Sequence, residues 1–160
     1  MQLFLYFAFI VFIVGADQVT KYLTVANIAL NQDVEFLPGF LGLTYVQNTG
    51  AAFSSFEGMQ WLFALIFAAF TVGLVWEYRK QSLKLSAFEW WCVMAIYGGG
   101  LGNMIDRLRL GYVVDMIETK FMRLPVFNVA DCFITCGCVA LMASLILFNK
   151  EFWKDEKNKR

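Results

Sequence analysis

The stretch VFNVADCFITCGCVALMASLILF, residues 126–148, is long and apolar enough to cross a bilayer, yet it carries one acid, Asp131, a few residues from its start. A spanning helix needs about 20 apolar residues. An ionisable group inside such a run is costly and marks a functional site by default. Sixteen positions earlier a second acid, Asp115, stands in Val113-Val114-Asp115-Met116-Ile117, a β-forming stretch with no cap or turn to explain a charge. Two isolated carboxylates at one membrane surface suggest acid/base chemistry.

Outward from this run the rest of the chain is membrane-like as well. Of its 160 residues 59% are hydrophobic and only 16% charged, far from the roughly one quarter charged of soluble domains. Apolar segments Leu3 to Ala16, Met59 to Trp76 and Trp90 to Ile105 join the fourth. The first must continue through Asp17 and Lys21 to cross a core of about 30 Å. We therefore expect one mainly α domain over 1–160 with four transmembrane helices, approximately 3–24, 59–76, 85–106 and 126–148. The first segment lacks a basic n-region and a small-residue cleavage site, and reads as a retained span rather than a cleaved signal. Arg79, Lys80 and Lys84, with Lys150, Lys154, Lys157, Lys159 and Arg160 in the tail, place both termini in the cytoplasm. Arg107, Arg109, Lys120 and Arg123 on the outer side run against that rule. Net charge is zero and no basic patch is interleaved with aromatics, which argues against a nucleic-acid partner. The basic tail suits anionic membrane lipid.

The outer loop between the first two spans has structure of its own. Phe36-Leu37-Pro38-Gly39 reads as a turn and Phe40 to Val46 as a strand or hairpin. Gly98 and Gly102, four apart in the third span, would let another backbone approach. Cys92, Cys132, Cys136 and Cys138 all fall in predicted spans and read as small buried apolar side chains, neither disulfides nor metal ligands.

The polar residues share one address. Asp17 and Lys21 close the first span, Asn48 to Phe53 lie in the first outer loop, Asn103, Asp106 and Arg107 end the third span, and Asn128 with Asp131 open the fourth. Each has a plain reading. Asn128 and Asp131 can be an N-cap and its acid three residues on. Asp17 and Lys21, at i and i+4, can be an ion pair. Asn103 and Arg107 share a helix face that could hold a carboxylate or carbonyl from elsewhere. With no histidine in the chain, Ser-His-Asp, Cys-His and HExxH chemistry are excluded. A dyad of Lys21 with Ser54 or Ser55 survives on paper only. A carboxylate pair sharing a proton remains, which suits a water-activating aspartic protease. The alternative is a small ion- or proton-coupled carrier with a path through Asp17, Lys21, Asp106, Asp115 and Asp131, although inward of them only groups such as Thr71 and Glu89 are polar. A structural assembly factor is a third reading.

Five ordered blocks narrow this further: Asp17-Gln18-Val19-Thr20-Lys21, Asn48-Thr49-Gly50-Ala51-Ala52-Phe53, Gly102-Asn103-Met104-Ile105-Asp106-Arg107, Val113-Val114-Asp115-Met116-Ile117 and Phe127-Asn128-Val129-Ala130-Asp131. In this order the chain resembles the lipoprotein signal peptidases, or signal peptidases II, which are bacterial intramembrane aspartic proteases. Met116 departs from the family's usual Phe. The resemblance implies a catalytic dyad of Asp115 and Asp131, with Asn48, Gly50, Ala52, Asn103, Arg107, Asn128 and Ala130 shaping or supporting the site. It implies that Asp17 and Lys21, with Asp106 beside them, hold the architecture. It further implies a small extracytoplasmic β element, an active site at the extracytoplasmic side of the cytoplasmic membrane, no metal or organic cofactor, and as substrate a prolipoprotein cut on the amino side of a diacylglyceryl-modified Cys.

Overall fold

The computed structural model describes residues 1–50 and 59–149. In chain order the elements are helix α1 (Gln2–Asn27), strands β1 (Asp33–Leu37) and β2 (Leu41–Asn48), helices α2 (Gln60–Lys80) and α3 (Ala87–Leu110), strand β3 (Val113–Thr119) and helix α4 (Val129–Leu147). The protein is mainly α. Among the described residues three helices, α1, α2 and α4, are long and apolar enough to cross a membrane.

In α1 the buried residues Tyr6, Ile13, Asp17, Lys21 and Thr24 form one stripe, while Phe4, Phe7, Phe12 and Val19 on other faces are exposed. A helix whose exposed faces are apolar has its solvent in the bilayer. The stripe is apolar at its first end and charged at its second, so α1 delivers Asp17 and Lys21 into the interior near one end of the bundle. Helix α3 is the hub, packing against α1, α2, α4 and β3. Its N-terminus is a capping box of Ser86 and Glu89, and it stops at Gly111, whose φ of 80° a side chain would resist.

The glycines of α3 act differently from the expectation. A Cβ at Gly98 would meet Ile13 side-chain atoms at 3.1 Å, and one at Gly102 would meet the Asp17 carboxylate at 2.6 Å. These two therefore accept side chains of α1. The close backbone approach is at Gly99, where a Cβ would lie 2.5 Å from the Ala130 carbonyl oxygen, the point that seats the start of α4 on α3.

The helices also differ in extent from the expected spans. Helix α3 runs a turn past residue 106, which leaves Asp106 and Arg107 inside it, and α4 begins at Val129 because Asn128 caps it. Of the cysteines, all free, Cys92 is buried as expected but Cys136 is exposed, because the face of α4 that carries it lines an open groove instead of packing on another helix.

The three strands form one antiparallel sheet in the order β1-β2-β3. The expected strand is present as β2 and extends to Asn48, so Asn48 sits on a strand rather than in a loop. Pro38, Gly39 and Phe40 make the hairpin turn, with Gly39 at φ 69°. A register shift between Leu43 and Val46 sets Val46 opposite Asp115 and Asn48 opposite Val113. An isolated bridge between Ile117 and Phe127, with amide–carbonyl bonds of 2.7 and 3.1 Å, draws the approach to α4 onto β3. That bridge brings Asn128 to Asp115.

Candidate active site

Two pieces of local structure supply the carboxylates. Asp131 is the third residue of α4, where the capping box is reciprocal: Asn128 Oδ1 accepts from the Asp131 N–H at 2.9 Å, and Asp131 Oδ2 accepts from the Asn128 N–H at 3.2 Å. The helix N-terminus favours negative charge there. Asp115 lies in β3 and is 2% exposed.

Asparagine side chains bind the two halves together. Because Asn128 uses its oxygen on the cap, its Nδ2 is free to donate to Asp115 Oδ1 at 2.6 Å. Asn48 Nδ2 donates to Asp115 Oδ2 at 2.9 Å, its own Oδ1 held by the Gly50 N–H at 3.0 Å. Asn103 Nδ2 donates to Asp131 Oδ1 at 2.8 Å. Burial pushes the Asp115 carboxyl up to about 6; the Asn48 and Asn128 bonds oppose the shift and the charge of Asp131 adds to it.

Both aspartates line one groove of about 970 Å³. Its walls are mostly apolar: Phe63, Phe67 and Phe70 from α2, Ile134 and Cys136 from α4, and Leu124 to Phe127 before α4. Arg107 crosses the groove end, with its guanidinium 4.3 Å from the Phe63 ring centroid and Nη2 donating to the Gly50 carbonyl at 3.1 Å. Of the two options left by the sequence for Asn103 and Arg107, the first therefore holds a carboxylate and the second a carbonyl.

Asp17, Lys21 and Asp106 sit behind the dyad and line no part of the groove. Lys21 Nζ lies 2.9 Å from Asp17 and 3.0 Å from Asp106, so the i,i+4 pair is real and has a third member. Its remaining proton goes to Asn103 Oδ1 at 2.9 Å. With three protons and three acceptors, this ammonium is no base for a serine. Ser54 and Ser55, like Ala52 and Phe53, lie outside the described residues. Ala130 contributes through its backbone, its N–H donating to Asp17 Oδ1 at 3.0 Å.

Sequence reasoning missed Gln18, whose Nε2 donates to Asp106 at 2.9 Å and to the Gly102 carbonyl at 3.3 Å. It also missed the aromatic wall. The spacing of Phe63, Phe67 and Phe70 on one helical face was a usable signal.

The chain has relatives over nearly its whole length. Residues 9–147 match the family model of signal peptidase (SPase) II. A lipoprotein signal peptidase of Enterococcus faecalis is 44% identical over 158 residues, covering 98% of this chain and 96% of its own. One from Streptococcus agalactiae serotype V is 43% identical over 148 residues, covering 92% and 91%. Among solved structures, a bacterial membrane enzyme determined by the in meso method at 2.3 Å superposes with a TM-score of 0.82 at 32% identity, covering 97% of this chain and 91% of that one. Another, determined at 1.9 Å, gives 0.80 at 32% identity, covering 90% and 94%. An enzyme family over nearly the whole chain displaces the carrier reading, and the chain belongs to the signal peptidase II family, the intramembrane aspartic peptidases of the bacterial membrane.

Proposed function

We propose that Asp115 and Asp131 are the catalytic dyad and that the chain removes signal peptides from prolipoproteins, cutting on the amino side of a diacylglyceryl-modified Cys. The observation that carries this reading is the groove: both carboxylates open onto one cavity with largely apolar walls, and Asn128 links the two directly. One aspartate, ionised, takes a proton from a water that attacks the scissile carbonyl. Its protonated partner donates to the carbonyl oxygen, and a proton then passes to the leaving nitrogen. No acyl-enzyme forms and no metal takes part. The apolar walls formed by Phe63, Phe67, Phe70 and Ile134 suit a lipid chain and a signal helix arriving through the bilayer.

In this reading Asn48, Asn103 and Asn128 hold the dyad, Gly50, Arg107 and Ala130 shape the site around it, and Ala52 keeps the supporting role that the resemblance implies. The membrane topology is four spans in one domain. Helix α3 is 24 residues long, about 36 Å at 1.5 Å per residue, and lies among three apolar helices despite its own polar residues. Arg79 and Lys80 end α2, which supports cytoplasmic termini and an extracytoplasmic dyad.

The test is cleavage of a diacylglyceryl-modified prolipoprotein by purified protein, with an unlipidated control and the Asp115→Asn and Asp131→Asn variants. Cleavage confined to the lipidated substrate and lost in both inserted variants is the expected result. Near-normal turnover by either variant removes that residue from the dyad.

A further inference from the structure

The charges behind the dyad are costly to bury. Asp17 is 0% exposed, and Lys21 and Asp106 are each 3% exposed. Buried ion pairs contribute little net stability compared with well-packed apolar side chains, and specificity of arrangement is one reason such groups persist. Their bonds here lead to particular places. Asp17 accepts from the N–H of Ala130, the residue before Asp131, at 3.0 Å. Asp106 accepts from the N–H of Val114, the residue before Asp115, at 3.1 Å. Lys21 ties these two carboxylates together and donates to Asn103 Oδ1 at 2.9 Å. Asn128 Nδ2 reaches that same oxygen at 3.1 Å. An amide oxygen with two donors aimed at it leaves only the nitrogen to face Asp131.

From this geometry we infer that Lys21, with Asp17 and Asp106, is a positioning unit: it fixes the backbone segments that carry the two aspartates and orients the Asn103 amide so that it donates to Asp131. The inference rests on the dyad reading above. None of the three touches the groove, so they act through Asn103, Ala130 and Val114 rather than on substrate.

The test is the double variant Lys21→Met with Asp106→Asn. It removes one cation and one carboxylate together, so the cluster's net charge is unchanged, and the amide carbonyl of Asp106→Asn can still accept from Val114. Loss of alignment without loss of the groove is expected to lower kcat about a hundredfold and to leave KM within about twofold. Wild-type kcat in the folded double variant overturns the proposal, as does a raised KM with kcat unchanged. A second measurement needs no substrate: the ¹H–¹⁵N resonance of the Asn103 side-chain amide should follow the titration of the dyad in the wild type and lose that response in the double variant. An unchanged response overturns the proposal. Should the double variant not fold, Asn103→Asp decides, since it keeps the acceptor for Lys21 and removes the donor to Asp131. The same hundredfold fall in kcat is expected, and wild-type kcat overturns the proposal. If the wild-type protein cleaves nothing, the peptidase reading fails and the amide resonance still decides the positioning role.

Discussion

Helices α3 and α4 begin with the same device, and only one of the two starts lies in the active-site groove. At Ser86 and Glu89, as at Asn128 and Asp131, an N-cap side chain and the acid three residues on bond each other's backbone N–H. Glu89 is 0% exposed, whereas Asp131 is only half-buried. The difference lies in what surrounds each acid. Glu89 accepts from the Ser86 N–H at 2.7 Å, Ser144 Oγ at 2.9 Å and Asn149 Nδ2 at 2.7 Å, which ties the start of α3 to the end of α4. It does not line the groove. Asp131 has a second acid nearby and opens onto the groove.

The cap residue makes that difference. A serine cap accepts through its oxygen and keeps only one short O–H, which reaches no further than its own cap. An asparagine cap has an oxygen for the helix and an NH₂ left over, and in Asn128 that NH₂ reaches Asp115. Burial of an acid alone is therefore a poor sign of chemistry. A buried acid beside a cavity, with a second acid linked through its own cap, is a better one.

Isosteric amides at the two helix starts should have the most unequal effects. Asp131→Asn should lower turnover by at least about a hundredfold, whereas Glu89→Gln should leave turnover within about twofold and lower stability by about 1–3 kcal/mol through one mismatched buried hydrogen bond. Steady-state cleavage and thermal unfolding in detergent check both. Loss of turnover in a folded Glu89→Gln protein would make the two ends alike. Next in size, Asn128→Ser should keep the cap, at a cost within about 1 kcal/mol, and lose the arm to Asp115, with turnover down about tenfold to a hundredfold. Wild-type turnover would show that the spare NH₂ is idle.

A further expected effect is a pH dependence of stability. The Asp115 carboxyl is raised from 3.8 to about 6 in the folded protein, so the native state binds the extra proton between those values. Its contribution to stability is greatest below about pH 4 and is lost as pH rises through about 6, about 3 kcal/mol in all. Asp115→Asn should remove this slope from the wild-type profile measured by unfolding midpoint against pH. Parallel profiles would mean that Asp115 is not strained by its burial.

Much of this was legible without coordinates. The apolar runs announced membrane-length helices because helix length and side-chain transfer energies are local properties. Val113 to Ile117 read as a strand from its β-branched residues, and Asn128 with Asp131 read as a cap from spacing alone. Asp17 and Lys21 could be paired because i,i+4 neighbours share a helix face. The edges were less legible: Asn48 was placed in a loop although it ends β2, Asp106 and Arg107 were placed at a helix end that lies a turn further on, and Cys136 was taken as buried. In each case a neighbouring element decided the outcome. Glu89 looked like a stray polar group because Ser144 and Asn149, which hold it, lie more than fifty residues away.

Periodicity, capping and hydropathy act within a few residues, so the set of elements and the identity of the acids can be read from local sequence. Which side chains meet is settled by packing. Lys21 finds Asn103 across 82 residues and Gln18 finds Asp106 across 88, because Gly98 and Gly102 admit the side chains of α1 and Gly99 admits the backbone of α4. The shift in β2 between Leu43 and Val46 and the bridge from Ile117 to Phe127 then set Asp115 beside Asn128. Packing and register act between elements far apart in the chain, and no local pattern encodes their outcome.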